Sequence, residues 1–141
     1  MGFGTSFSKY SSFVPSNTIS RTFPYGTEVE IFSFKALQKN WKESTSSYEK
    51  EHVTPYFYNH QDKFKIFNFQ NKKNLSFLRW TIDKMNDLKL VQIFVTKIYS
   101  RPILLDDIIN LLIREPSLIR INLDDEVENT FKNTFKNIIK K

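Results

Sequence analysis

Three short stretches of this chain read as β-strands, and stretches of helical period lie between and after them. Residues 27–34 alternate, with Val29, Ile31 and Ser33 on one side and Glu28, Glu30 and Phe32 on the other. Residues 64–69 set Phe64, Ile66 and Asn68 against Lys65, Phe67 and Phe69, and residues 77–82 form the third stretch. Between the first two, residues 35–42 suit a short helix with Leu37 and Trp41 four apart on one face. Residues 48–60 predict a second helix, in which Pro55 is tolerable only near a first turn. Strands interleaved with helices argue for an α/β fold. A doubly wound sheet usually has about five or six strands and often a Gly-rich phosphate loop after the first. Neither feature is found here.

The strongest helix spans residues 84–99, where Leu88, Val91, Val95 and Ile98 form a stripe that Met85, Leu90 and Phe94 broaden. Asp83 stands just before it, at the usual place of an N-cap. Pro102 blocks continuation, and a further helix covers 104–114 with Ile108, Leu111 and Leu112 inward, followed by Pro116. Residues 124–141 predict an amphipathic tail helix, with Val127, Phe131, Phe135 and Ile138 on one face. Its acids come first and its lysines last, matching the helix dipole. Residues 1–13, rich in Ser and Gly, read as a loose leader.

At 141 residues and 16.8 kDa the chain is the size of one domain. Fourteen Phe, six Tyr and two Trp exclude whole-chain disorder, because disordered chains are poor in aromatics. No run approaches a membrane span, and the first 20 residues lack a secretory pattern. With no Cys there is no disulfide, zinc ribbon or thiol catalysis, which suits a reducing cytoplasm. The formal charge of +6 is concentrated in residues 61–101, which carry nine Lys/Arg against three Asp. That stretch, including lysines 63, 65, 72 and 73, is either a solvated basic face or a polyanion surface. Only Arg79 and Arg101 of the nine are Arg, which argues against nucleic acid as the partner.

Several residues can carry chemistry. Glu28 and Glu30, two apart on a strand, point to one face; such a pair binds a cation or hydroxyls, or simply decorates a surface. His52, beside Glu51, can serve as an acid or base, and it can equally be a hydrogen-bonded structural histidine. Arg79 and Asp83 sit on and at the end of a strand, where open α/β sheets bind ligands. Asp83 can give Mg²⁺ a hard oxygen, and it can equally cap the following helix. No catalytic set is complete. Two His exclude a three-His metal site, and neither a Gly-x-Ser-x-Gly motif nor a Walker-type loop is present.

Three blocks carry a resemblance. They are Ser16-Asn17-Thr18 with residues 21–34 (RTFPYGTEVEIFSF), residues 48–56 (YEKEHVTPY), and residues 75–83 (LSFLRWTID) continuing through Asp87-Leu88 and Leu90-Val91. In this order and spacing, over residues 14–121, the chain resembles the cytidylyltransferases that make CMP-activated sugar acids. The branch is the spore-coat polysaccharide biosynthesis type, related to CMP-Kdo synthetase and acylneuraminate cytidylyltransferase. The resemblance implies a three-layer α/β/α sandwich of the nucleotide-diphospho-sugar transferase type. It also implies cytidylyl transfer from CTP to a sugar-acid hydroxyl with Mg²⁺, releasing pyrophosphate.

By the same resemblance Asp83 is the metal carboxylate, and Glu28, Glu30, Glu51, His52 and Arg79 lie on the substrate side. The family generally has Asp where Glu28 stands, and Thr-Pro-Glu-Asp where Lys84-Met85-Asn86-Asp87 follows Asp83. Family members are longer and begin with a strand and a basic, Gly-containing loop that cradles the CTP triphosphate. That part also supplies a second metal Asp, and the match here is to the C-terminal half alone. The expectation is a chain inactive by itself, as a truncated product, a fragment or a split enzyme whose partner brings the CTP half; the partner expected is that chain or a second copy in a homodimer. The alternative is a non-catalytic dimerisation module built on the same half-fold, with no membrane role.

Overall fold

The structure, a computed structural model, describes residues 13–139. Most of the expected leader, residues 1–12, lies outside the described residues. The fold mixes helices with a two-stranded parallel sheet, as in the α/β class. It divides into two compact units, one of residues up to 21 with 28–70, the other of 22–27 with 71 onward.

In the first unit, β1 (Phe13–Ser16) pairs in parallel with β2 (Lys65–Asn68), with Val14 opposite Ile66 and Ser16 opposite Asn68. Parallel strands need a long crossover. Here it contains α1 (Phe34–Glu43), α2 (Ser47–His52) and α3 (Pro55–Asn59). The expected strand over 27–34 is reduced to one antiparallel bridge, Ser16 to Glu30. Two backbone bonds frame it, from Asn17 N to Val29 O at 3.3 Å and from Ile31 N to Pro15 O at 2.9 Å. It ends early because Ser33 caps α1, its hydroxyl accepting from Ala36 N at 3.1 Å. Of its two sides, the one carrying Phe32 packs inward. Val29 and Ile31 are 57% and 59% exposed, whereas Phe32 packs on Phe57 with ring centroids 5.1 Å apart.

On α1 the Leu37–Trp41 face is not the buried one. Ala36 and Asn40 are buried, and Trp41 is 63% exposed. The helix expected over 48–60 splits into α2 and α3. Val53 leaves the helical region at φ 63°, and Pro55, with no N–H to continue the ladder, opens α3. Val14, Ala36, Tyr56, Phe57 and Phe64 form the core of this unit. Phe57 and Phe64 meet edge to face at 4.8 Å, and burying each contributes about 1.5–3 kcal/mol.

The second unit is built on α4 (Met85–Lys97), α5 (Leu105–Arg114), a 3-10 helix (Pro116–Ile121), α6 (Asp125–Thr134) and α7 (Lys136–Ile139). The strand expected over 77–82 is an extended segment with a single parallel bridge, Tyr25 to Arg79. Residues 22–27 are stitched along it. Leu75 N donates to Thr22 O at 2.8 Å, Tyr25 N to Leu78 O at 2.9 Å and Trp80 N to Tyr25 O at 2.7 Å. On α4 the buried side is Asp87, Leu90, Phe94 and Ile98, while Leu88 and Val95 face solvent. The tail helix is present but breaks at Phe135, whose ring lies 4.7 Å from that of Phe131 in the core. Among the described residues no helix is long and apolar enough to cross a membrane.

Gly26 holds the seam of the second unit. Its φ is +94°, and a Cβ there would lie 2.7 Å from Thr81 N and 2.8 Å from the Trp80 carbonyl carbon. Both neighbours are backbone and cannot swing aside. Gly26→Ala is therefore expected to destabilise the fold by more than the ~1–2 kcal/mol of a left-handed L-residue alone. Urea unfolding monitored at the tryptophans measures it.

Candidate functional site

Glu28, Glu30 and His52 line one cleft of about 500 Å³ in the first unit, with Thr18, Thr54 and Tyr58 among its other walls. The extended segment after the turn at Gly26 brings the two glutamates to the cleft, and the end of α2 brings His52. Arg21 forms an ion pair with Glu28. Burial pushes the Glu30 carboxyl above its usual range; a hydrogen bond from Thr54 opposes the shift and the nearby Glu28 charge adds to it. The His52 ring lies 4.5 Å from that of Tyr48, one helical turn earlier.

Two cleft-lining hydroxyls, Thr18 and Tyr58, form a triangle with the buried Ser16 behind them. Ser16 Oγ is 2.8 Å from Thr18 Oγ1 and 3.0 Å from Tyr58 Oη, and Thr18 Oγ1 is 3.0 Å from Tyr58 Oη. Ser16 Oγ also accepts from Thr18 N at 3.1 Å. Each hydroxyl can donate once around the ring and keep acceptor capacity over. Carboxylates and hydroxyl oxygens together make an acceptor-rich surface, suited to a ligand that offers several O–H donors. Glu51 is exposed on α2 and is not among the residues lining the cleft.

Arg79 and Asp83 belong to the second unit, where they form an ion pair with each other. Asp83 does not cap α4. Lys84 takes the N-cap position, and Asp87 does the capping from the third residue of the helix. Its Oδ2 accepts from Lys84 N at 2.9 Å and from Asp83 N at 3.1 Å, and its Oδ1 accepts from Asn122 Nδ2 at 2.9 Å. The same Asn122 amide donates to Arg79 O at 2.9 Å, and the Arg79 guanidinium lies 3.6 Å from Asp87 Oδ2. Asp87 and Asn122 thus hold the backbone at both ends of the Arg79–Asp83 segment.

Asp87 had a signal in the sequence, an acid three residues after a helix start. Asn122, more than thirty residues further on, had none. Thr18, Thr54 and Tyr58 lie in or beside the quoted blocks, but only the fold brings their hydroxyls to the glutamates.

The side chain of Asp83 is 64% exposed. Asp87 is buried with its oxygens engaged, and among the described residues no group of three or more His, Asp or Glu could hold a metal. Mg²⁺ takes oxygen ligands in near-octahedral geometry, often one or two carboxylates with phosphate oxygens and water. Asp83 fits one position of such a shell and does not make a self-contained site. The lysines singled out above include two whose ammonium groups bond within the protein. Lys63 bonds Glu43 and Tyr56, both at 2.9 Å, and Lys73 bonds Thr134 O at 3.2 Å.

The geometry finds a counterpart among known proteins. The chain superposes on a cytidylyltransferase from Leptospira borgpetersenii serovar Hardjo-bovis with a TM-score of 0.75 and 29% identity, over 82% of this chain and 48% of that one. A 67-residue stretch is 42% identical to an uncharacterized protein of Methanocaldococcus jannaschii, covering 46% of this chain and 28% of that protein. The chain thus spans about half, or less, of the length of the proteins it matches. No family model matches it. The structural likeness supports a nucleotidyltransferase-like fold.

The hydrogen bond from Asn122, with help from the Asp83 and Lys84 amides and Arg79, lowers the Asp87 pKa from 3.8 to about 2 against the opposing effect of burial. A depressed carboxylate adds stability that is complete above its unfolded value and lost as pH falls through the folded one. Acid titration should therefore show a stability loss between about pH 4 and pH 2 that Asp87→Asn abolishes. Thermal melts across that range measure it.

Proposed function

We propose that this chain is the acceptor-side portion of a CMP-sugar-acid synthetase. In the complete enzyme a hydroxyl of the sugar acid attacks the α-phosphorus of CTP, the P–O bond to the β-phosphate breaks, and pyrophosphate leaves. The observation that carries this reading is the likeness to a cytidylyltransferase together with an acceptor-rich cleft in the first unit. Glu28 and Glu30 accept hydrogen bonds from the sugar hydroxyls, and Thr18 and Tyr58 add further partners. His52 stands at the cleft edge, as a donor or acceptor according to its protonation, with Glu51 outside as a charge nearby.

Arg79 and Asp83 serve the phosphate side in this reading. Asp83 is the one carboxylate offered to Mg²⁺, which when bound neutralises the triphosphate and polarises the reacting phosphorus. Arg79 meanwhile fixes the Asp83 carboxylate by its ion pair. The absence of a triphosphate-cradling Gly-rich loop from the sequence supports the proposal that a separate segment, or a partner chain, supplies it. CTP as co-substrate suits a cytoplasmic protein acting in surface polysaccharide synthesis.

Two measurements test the reading. The pure chain given CTP, Mg²⁺ and a panel of sugar acids should release no pyrophosphate above background. Titration of the same acids should perturb the His52 ring protons in NMR spectra, and Glu30→Ala should weaken binding about tenfold, equivalent to ~1.4 kcal/mol. Absence of binding by any sugar acid, together with a stable dimer in light scattering, would favour the non-catalytic module instead.

A further inference from the structure

Val53 stands between two cleft residues, His52 and Thr54, in a conformation that valine does not favour. Its φ and ψ are 63° and −54°, and Thr54 N donates to His52 O across it at 2.7 Å. This is the γ-turn with positive φ, rare and strained for any L-residue and most of all for a β-branched one. Strain of this kind persists only where the surroundings over-determine it.

The surroundings here supply one buried side chain aimed at the turn from the side of α1. Asn40 Nδ2 donates to the Val53 carbonyl. The other end of the amide is fixed as well, since Ser44 Oγ donates to Asn40 Oδ1 at 2.8 Å. Ser44 N donates to Asn40 O at 2.8 Å, closing the end of the helix around the same residue. Asn40 is 2% exposed, and a buried amide has nowhere else to place these groups. On the far side of the turn, Thr54 lines the cleft together with Glu30. A hydrogen-bonded path therefore runs from Ser44 through Asn40 to the Val53 carbonyl, and the turn it holds carries His52 and Thr54 into the cleft wall.

We infer that Asn40 is a positioning residue. It touches nothing in the cleft, but it holds the left-handed Val53 turn that sets His52 and Thr54 against the glutamates. Its functional meaning rests on the acceptor-side reading above; the mechanical claim does not.

Glycine gives the test, because it takes positive φ without steric cost and so needs no clamp. Asn40→Ala should lower Tm by about 4–8 °C or more. It should also shift the NMR signals of the His52 ring and the Thr54 methyl. In a Val53→Gly background the same substitution should cost at most half as much, and the His52 and Thr54 signals should stay near their native positions. That coupling is read from the double-mutant cycle. If the single variant does not fold, the double variant should, and the comparison is then made with Val53→Gly alone.

An equal cost of Asn40→Ala in both backgrounds, or His52 and Thr54 signals indifferent to residue 40, would overturn the inference. Both readouts are taken without ligand. Rescue by glycine in a protein that binds no sugar acid would therefore count against the acceptor-side reading and leave the clamp standing.

Discussion

The cleft depends on a backbone turn that its own residue resists. Val53 must take positive φ for α2 to stop at His52 and for α3 to start at Pro55. Were the helix to run on from 48 to 60, Thr54 would not meet Glu30 and His52 would stand on a continuous surface helix. The conformation is held by a buried hydrogen bond from Asn40, and Asn40 is buried because α1 packs the Ala36–Asn40 side inward. The helix that exposes Trp41 is thereby the one that shapes the cleft.

The second unit shows the same economy of means with different chemistry. A glycine allows two backbones to approach within the space of a missing Cβ, and Asp87 with Asn122 secures the segment that ends in Asp83. In each unit the residue with proposed chemistry is exposed or partly exposed, and the group that orients it is buried: Asn40 behind His52 and Thr54, Asp87 behind Asp83. Exposed residues face the side a ligand approaches from, and buried amides and carboxylates carry the constraint.

Much of this was legible in the sequence wherever period and punctuation agreed. The helix ending before Pro116, the inward Phe131 and Phe135, and β2 all follow from spacing. The inward faces of α1 and α4 were not legible. On α4, Leu88, Val91 and Val95 compete with Leu90, Phe94 and Ile98, and only packing decides between two apolar stripes on one helix. On α1 a buried Asn outweighed Trp41 because its hydrogen bonds have partners inside. The strands at 27–34 and 77–82 failed for another reason. Each finds one bridge partner, and helices capped by Ser33 and by Asp87 begin soon after. β1 was missed because Val14-Pro15-Ser16 has no alternation to read. The split of the candidate residues between two units was likewise invisible, since Glu28 and Arg79 lie in the first and third blocks of one resemblance.

The central claim is that the cleft of Glu28, Glu30, His52, Thr18 and Tyr58 receives a sugar acid by its hydroxyl groups. A crystal structure of the chain with a bound sugar acid tests it most directly. The account predicts the acid's hydroxyls within hydrogen-bond distance of Glu28 and Glu30, with its carboxylate turned away from that acidic pair. An acid bound with its carboxylate against the two glutamates, or seated elsewhere on the protein with the cleft empty, would contradict it.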